Sequence, residues 1–250
     1  MFFSKKLKKF KNIHHCFFSR KDGYSKGIYK GLNCGRGSKD KRKNILKNLK
    51  LVEKKMKVEK NHLILMYQTH SNKVVEINNN NKRKKIVSDA IITKEKGIAL
   101  GVVTADCVPI LIYEKKKKIV GCIHAGWKGA FSDIIKNTIL KIKKGSPKGE
   151  IFASIGPCIG YKNYEVDLKF YQNFLSKTKK NKKYFYKKSV SKKFFDLRRY
   201  VEDKLIEYNV TIDHVKKDTF KEKKFFFSYR RSKKEMQNDY GRCISAICLT

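Results

Sequence analysis

The sequence has little of what marks several large protein classes. Only 3 of its 250 residues are proline and 15 are glycine, which argues against a fibrous or low-complexity chain. No stretch approaches the ~18 consecutive apolar residues of a membrane span, so no membrane partner is expected. The N-terminus is basic and has no continuous apolar core, which is not typical of a secretory signal.

Cysteine is also scarce for a secreted, disulfide-linked protein. The chain has seven cysteines, an odd number, and they are widely spaced without a CxxC pair. Such spacing in a chain of this length excludes a disulfide framework. The expected location is therefore the cytoplasm.

Acidic residues are few, since 22 Asp and Glu stand against 61 Lys and Arg, giving a net charge of +39. Such a charge points first to nucleic-acid binding. However, 52 of the basic residues are Lys and only 9 are Arg, the side chain that contacts phosphate and guanine bidentately. Half of the chain is Phe, Tyr, Met, Ile, Asn and Lys, whose codons are A/T-rich. We attribute the charge to genome composition and expect no specific nucleic-acid partner.

Short runs rich in Ile and Val alternate irregularly with amphipathic segments, which favours an α+β fold over a doubly wound one. We expect a single domain over residues 1–250, with mixed β-sheets flanked by helices and a basic N-terminus (1–20) that is a candidate flexible extension. Strands are predicted at 61–68, 74–77, 89–93, 98–103, 108–113, 119–123, 151–155, 211–215, 224–228 and 243–249. Helices are predicted at 130–143, 167–175 and 193–208.

Three polar clusters follow apolar runs, so each is expected at the end of a strand. They contain His70, Cys107 and His124. One thiolate and two imidazoles suit Zn²⁺ and leave a fourth position open, as in catalytic zinc sites. Alternatively, Cys107 is a nucleophile activated by one of the histidines. The spacing of the three residues does not decide between these two hypotheses.

Gly126–Gly129 follows His124 directly and precedes a predicted helix. The N–H groups at a helix start favour an anion, so a phosphate or carboxylate could lie beside the candidate metal. The alternative interpretation is an ordinary turn from strand to helix, with Trp127 in the core.

At these residues the sequence resembles the laccase-domain family, also called the multicopper polyphenol oxidase-like or peptidoglycan editing factor family. The most specific feature is ADC followed by HAGW. The matching segments are SKGIYKGLNCG (25–35), QTHSNKVV (68–75), SDAIITKEKGIALGVVTADCVPILI (88–112), GCIHAGWKGAFSDIIKNTI (121–139), ASIGPCIGYKNYEV (153–166), FFFSYRR (225–231) and YGR (240–242).

The resemblance implies a mononuclear metal site held by His70, Cys107 and His124, with Zn²⁺ as the metal and Cu²⁺ as the alternative. It also implies a phosphate-dependent purine nucleoside phosphorylase that deaminates adenosine and cleaves methylthioadenosine. The implied partners are purine nucleosides and phosphate, and the chain is expected to be a monomer or homodimer. Deamination suits zinc, because zinc lowers the pKa of a water that can attack the purine C6.

Four residues are candidates for binding substrate or phosphate: Gly126, Lys128, Arg230 and Arg231. The arginines are chosen because they bind phosphate bidentately. Asp106, next to Cys107, is a candidate catalytic residue that either orients the ligand or transfers a proton. The sequence departs from the family pattern at Lys128, where HAGWRG becomes HAGWKG and bidentate geometry is lost.

Two other activities remain alternatives. The editing-factor name suggests a cysteine amidase acting on peptidoglycan precursors, with Cys107 as nucleophile. The oxidase name suggests a polyphenol oxidase with a single copper, since Cys and His also bind copper. A true multicopper centre is excluded, because the chain has six histidines and only two lie in the constellation.

Overall fold

β-Branched residues dominate the middle of the chain and form strands in the computed structural model, which describes residues 1–250. The strands are β1 (Ile13–Phe17), β2 (Leu63–Leu65), β3 (Val74–Ile77), β4 (Ala90–Thr93), β5 (Ala99–Thr104), β6 (Val108–Glu114), β7 (Ile119–Ala125), β8 (Ile151–Ile155), β9 (Glu165–Asp167), β10 (Phe185–Lys187), β11 (Lys192–Phe195), β12 (Thr211–His214) and β13 (Cys243–Leu249). The helices are α1 (Arg42–Met56), α2 (Trp127–Phe131), α3 (Ile134–Gly145), α4 (Leu168–Lys177), α5 (Leu197–Ile206) and α6 (Tyr229–Lys234), joined by short 3-10 turns.

The strands form three sheets. The largest has six strands in the order β12-β8-β6-β7-β4-β3, in which the two outermost pairs are parallel and the others antiparallel. A four-stranded sheet has the order β1-β13-β5-β2, with only β2 and β5 parallel. A small antiparallel sheet has the order β10-β11-β9. The predicted α+β class with mixed sheets is confirmed.

Alternation along the central strands makes both faces of the six-stranded sheet apolar. Ile91 and Leu111 pack on one face in a cluster with Leu100 of the four-stranded sheet. Their neighbours Ile92 and Ile110 point to the opposite face, because successive side chains of a strand alternate. That opposite face is covered by α3 and α5, and α1 covers the outer face of the four-stranded sheet. The result is a layered α-β-β-α core.

The basic N-terminus (1–20) does not extend away from the domain. Phe2 exchanges backbone hydrogen bonds with Phe17, and β1 pairs along its whole length with β13. Leu7 is fully buried, and the Ser4 hydroxyl donates to Asp213 in β12. The apolar residues between the lysines hold this segment against both large sheets.

Three other expectations are corrected by the structure. Residues 224–228 form no strand, because the backbone N–H groups of Phe225 and Phe226 donate to the carbonyl of Glu222 in a local turn, and the chain then enters α6. The helix predicted at 130–143 is divided into α2 and α3, since Asp133 has a left-handed φ of 69°. The helix predicted at 193–208 begins only at Leu197, after β11 and the N-cap Asp196. No helix is long and apolar enough to span a membrane.

Candidate metal centre

Three chain segments bring His70, Cys107 and His124 together. His70 lies between β2 and β3, Cys107 in the turn between β5 and β6, and His124 near the end of β7. Their ligand atoms all lie within 4.8 Å of one another, and His70 Nε2 is 4.0 Å from Cys107 Sγ. No other group of three or more His, Cys, Asp or Glu side chains in the chain has such a geometry.

The backbone beside two of these side chains is strained. His70 has a φ of 60° and Asp106 a φ of 85°, both in the left-handed region that non-glycine residues seldom adopt. Strain of this kind is found at functional sites and persists only where surrounding contacts hold it.

At His70 those contacts come from Asp89, a fully buried residue that sequence reasoning missed and that also bonds the ring of His124. One carboxylate oxygen is 2.8 Å from His124 Nδ1. The carboxylate also accepts hydrogen bonds from the backbone N–H groups of Thr69, His70 and Ser71. One side chain thus fixes both the His70 loop and the His124 ring.

The hydrogen bond to Asp89 also decides which ring nitrogen of His124 is free. Burial acts to raise the pKa of Asp89, but the bonds from His124 and Ser71 outweigh it and hold that pKa well below its usual range. An ionised carboxylate only accepts, so Nδ1 of His124 carries the proton. Nε2 therefore remains to face Cys107 and His70, as in metal sites whose histidines are oriented by carboxylates.

The charge state of Cys107 suits a cation. Burial acts to raise the pKa of the thiol, but His124 and His70 outweigh it and lower that pKa to about 6. Burial in turn acts to lower the pKa of His124, whereas Cys107 and Asp89 raise it to about 9, so the Cys107 thiolate faces an imidazolium whose Nε2 proton a metal ion would replace. A thiolate with two imidazole nitrogens is a donor set that fits Zn²⁺ well and copper also. The residues present therefore fit the metal that the motifs imply.

Gly126 is adjacent to the cluster for a steric reason. A Cβ at this position would lie 2.8 Å from His70 Cδ2 and 3.0 Å from Cys107 Sγ, so a larger residue would displace the cluster. The helix that follows, α2, has five residues. Gly126 thus makes room for the cluster, whereas the sequence suggested an anion site at this helix start.

Asp106 holds the C-terminal part of the chain against the cluster. Its carboxylate accepts hydrogen bonds from the hydroxyls of Thr219 and Ser228 and from the backbone N–H of Arg230. Burial raises its pKa despite these bonds. These contacts give Asp106 an orienting position, one of the two roles that the sequence left open.

Arg231 contacts neither the cluster nor the clefts beside it. Its side chain is buried, and its guanidinium donates to the carbonyl oxygens of Thr219, Phe220 and Phe226. These bonds direct the Arg231 guanidinium to the backbone and away from the cluster, so its placement does not support the expected role in phosphate binding. Arg230 behaves differently: one guanidinium nitrogen donates to the carbonyl of Glu165, and the side chain lines the cleft described next.

Two clefts of about 620 Å³ each meet at the cluster, and both contain His70 and Cys107 in their walls. The aromatic cleft, as we call the first, also contains Lys128 and Arg230 and is named for its five aromatic side chains. Those side chains are Trp127, Tyr164, Phe170, Tyr229 and Tyr240. The second, the basic cleft, contains five Arg and Lys side chains and no carboxylate.

Comparisons with known proteins agree with this architecture. A Rickettsia prowazekii protein named purine nucleoside phosphorylase is 37% identical over 213 residues, which cover 82% of this chain and 85% of that protein. One of the same name from Rickettsia conorii is 35% identical over 220 residues, covering 84% and 89%. The crystal structure of a Neisseria meningitidis protein matches with a TM-score of 0.84 at 26% identity, covering 96% of this chain and 95% of that one.

The family model described as multi-copper polyphenol oxidoreductase laccase matches residues 14–250, nearly the whole chain. This match confirms the resemblance seen in the motifs around Cys107 and His124. The chain belongs to the multi-copper polyphenol oxidoreductase laccase family.

Proposed function

We propose that this chain is a metal-dependent purine nucleoside phosphorylase whose metal is held by His70, Cys107 and His124. The observation that carries the proposal is the cluster itself, in which one thiolate and two imidazoles converge within 4.8 Å where two clefts meet. The name shared by the Rickettsia relatives supports the substrate class. As finer parts of the same proposal, the enzyme also deaminates adenosine and cleaves methylthioadenosine.

The aromatic cleft is proposed to bind the nucleoside. Its rings offer flat apolar faces to a purine, and stacking on aromatic side chains tolerates different bases. Arg230 lies over the ring of Tyr164, 5.3 Å from its centroid, and adds a cation near the substrate. The cleft therefore orients the nucleoside with one end toward the cluster.

In phosphorolysis the bond between C1′ of the ribose and N9 of the purine breaks, and its electron pair stays with the purine. A phosphate oxygen forms the new bond to C1′, and the proton of HPO₄²⁻ ends on the purine. A bound Zn²⁺ would supply Lewis acidity where the two clefts meet. The chain's own residues hold the reactants side by side, which lowers the entropic part of the barrier.

Zn²⁺ is the proposed metal and Cu²⁺ the alternative, because the Cys-His-His donor set binds both. One chain supplies all three ligands, so a monomer would suffice, and a homodimer would carry two sites. We propose a cytoplasmic location, which is consistent with seven free cysteines.

Replacing Cys107 tests the proposal. The Cys107→Ala protein should lose bound metal and phosphate-dependent release of hypoxanthine from inosine together. Cys16→Ala is the matched control, because it removes a buried thiol in β1, outside the cluster. Full turnover by a metal-free Cys107→Ala protein would contradict the proposal. Ammonia released from adenosine, and adenine released from methylthioadenosine with phosphate, test the two finer activities.

The cysteine amidase remains a second candidate because of one observation. Asp89, His124 and Cys107 form an acid–imidazole–thiol series like that of cysteine hydrolases, and the pKa of the thiol is lowered to about 6. A stoichiometric metal bound through Cys107 would leave no free thiolate for attack. Irreversible modification of Cys107 by a substrate-like electrophile in the protein as purified would favour the amidase.

A further inference from the structure

We infer that the basic cleft is the binding site of the phosphate co-substrate, held by Arg36 and Arg242 with Arg83, Lys84 and Lys85 around them. This inference rests on the proposed phosphorolysis and deepens it. The sequence suggested that phosphate binds at the Gly126–Gly129 turn and at Arg230 and Arg231. The basic cleft lies on the other side of the cluster from Arg230.

The basic cleft is richer in arginine than the rest of the chain, whose basic residues are mostly lysine. Twenty of the 250 residues line it, so an even distribution of the nine arginines would place fewer than one there, and it contains three. A compositional drift toward lysine does not explain this concentration. Arginine is the side chain whose planar fork binds phosphate bidentately.

The cations of the basic cleft form no ion pair with the protein, and Asp239 acts on Arg242 only from a longer distance. No Asp or Glu lines it, and none of its five cations lies within 4.0 Å of a carboxylate. Like charges gathered in a concave site repel one another and concentrate anions. An anionic ligand would relieve that repulsion, and HPO₄²⁻ is the anion that the proposed reaction consumes.

Two of the arginines belong to segments that are fixed to each other. The backbone N–H of Cys34 donates to the carbonyl of Arg242 at 3.1 Å, and the N–H of Arg242 donates to the side chain of Asn33 at 2.9 Å. These bonds hold the loop that carries Arg36 beside the start of β13. The anion would therefore meet arginines on two segments in a defined relative position.

The Arg242 side chain is itself held in place. Its guanidinium lies 4.3 Å from the centroid of the Tyr240 ring. A Cβ at Gly35 would lie 2.9 Å from Arg242 Cδ, so glycine at this position permits the close approach. A side chain restrained in this way loses less conformational entropy when it binds an anion.

The basic cleft is also in the right place for the reaction. It shares His70, Ala105, Cys107 and Tyr240 with the aromatic cleft. A nucleoside in one cleft and phosphate in the other would thus meet at the cluster from two sides. The two reactants of phosphorolysis would occupy environments that match their chemistry, aromatic for the purine and cationic for the phosphate.

Direct binding of inorganic phosphate to the metal-loaded protein tests the site without relying on turnover. Calorimetry should detect binding to the unaltered protein, and the Arg36→Gln/Arg242→Gln variant should bind at least about 10-fold more weakly, since each lost charge-assisted contact is worth about that factor. Arg42→Gln is the matched control, because Arg42 is exposed and lines neither cleft. Equal phosphate affinity in all three proteins would overturn the inference.

Steady-state kinetics then distinguish a phosphate site in the basic cleft from one in the aromatic cleft. The KM for phosphate should rise about 10-fold or more in the Arg36→Gln/Arg242→Gln variant while the KM for inosine stays unchanged. A rise confined to the Lys128→Gln/Arg230→Gln variant would place the phosphate in the aromatic cleft and overturn the inference.

Two further measurements complete the test: the binding of a nucleotide and the phosphorolysis activity of each protein. If the double arginine variant loses affinity for inosine 5′-monophosphate but not for inorganic phosphate, the cleft serves a nucleotide and the inference is wrong. If no protein shows phosphorolysis, the proposed function fails, and the calorimetric comparison still reports separately on the anion site.

Discussion

At the scale of single residues, the candidate site depends most on Asp89. It is fully buried, and its carboxylate both orients His124 and accepts the backbone N–H groups of the His70 loop. Carboxylates that orient metal-binding histidines strengthen metal affinity, because they fix the ring and raise its basicity. Asp89 is therefore a positioning residue that controls two of the three proposed ligands at once.

We predict that Asp89→Asn lowers metal affinity by about 10- to 100-fold, because the amide keeps the size of the side chain but loses the charge. Competition with a chelating dye measures the affinity, and circular dichroism verifies the fold. Asp133→Asn is the control, since Asp133 is half-exposed, pairs only with Lys177 outside the cluster, and has a left-handed φ of 69° that suits asparagine. Undiminished metal affinity in Asp89→Asn would contradict the orienting role.

The sequence revealed the three ligand candidates but not the residues around them. His70, Cys107 and His124 follow apolar runs, and strand ends converge in space, so their proximity could be predicted. Asp89 directly precedes the apolar strand β4, and its partners lie 18 to 35 residues away, which no local pattern shows. The environment of Arg231 could not be predicted, because the sequence does not show whether a guanidinium faces a cleft or a set of buried carbonyls.

At the scale of elements, prediction succeeded where burial gives a regular pattern. Val74–Ile77, Ile151–Ile155 and Cys243–Leu249 have the predicted limits, since each is a short apolar run. Helix α1 was not predicted although Ile45, Leu49, Val52 and Met56 are buried at helical spacing. Lysines between them reduce the apolar signal, and no side-chain cap marks the start of the helix. The helix is stabilised by packing against the four-stranded sheet, which the local sequence does not reveal.

The N-terminal segment gives a prediction at this scale. Burial, reinforced by the neighbouring His14, lowers the pKa of His15 to about 4. Because this value is below that of the unfolded chain, near 6.5, the unfolded state binds the proton more readily. The docking of this segment should be fully stable above about pH 6.5 and lose about 3 kcal/mol as the pH falls to about 4, with no further loss from His15 below that.

Urea unfolding of the His15→Gln variant between these pH values measures the effect. The stability difference between the unaltered protein and the variant should shrink by about 3 kcal/mol from pH 6.5 to pH 4. Asn12→Ala is the control, because it removes a hydrogen bond between two neutral side chains, that of Asn12 to the Tyr113 hydroxyl, and keeps the titrating ring. Its stability difference should not change with pH. A constant difference for His15→Gln would refute the prediction.

At the scale of the whole molecule, the net charge of +39 is spread over a lysine-rich surface, and the function is proposed at the junction of two clefts. Much of the lysine lies between the motifs, as in the turn between β6 and β7 at 115–118. A field of this size still attracts anions over long distances. A phosphate dianion would feel that attraction, and a neutral nucleoside would not.

The charge therefore predicts a difference in salt dependence between the two substrates. Between about 0.05 M and about 0.3 M ionic strength the screening length falls below about 10 Å, so the KM for phosphate should rise several-fold while the KM for inosine stays nearly constant. Steady-state phosphorolysis at fixed pH measures both constants. In the Arg36→Gln/Arg242→Gln variant the KM for phosphate should rise less with ionic strength, because two of the charges that attract phosphate are gone. If the KM for phosphate and the KM for inosine depended equally on ionic strength, salt would be acting on the fold or the cluster and not on the approach of the anion.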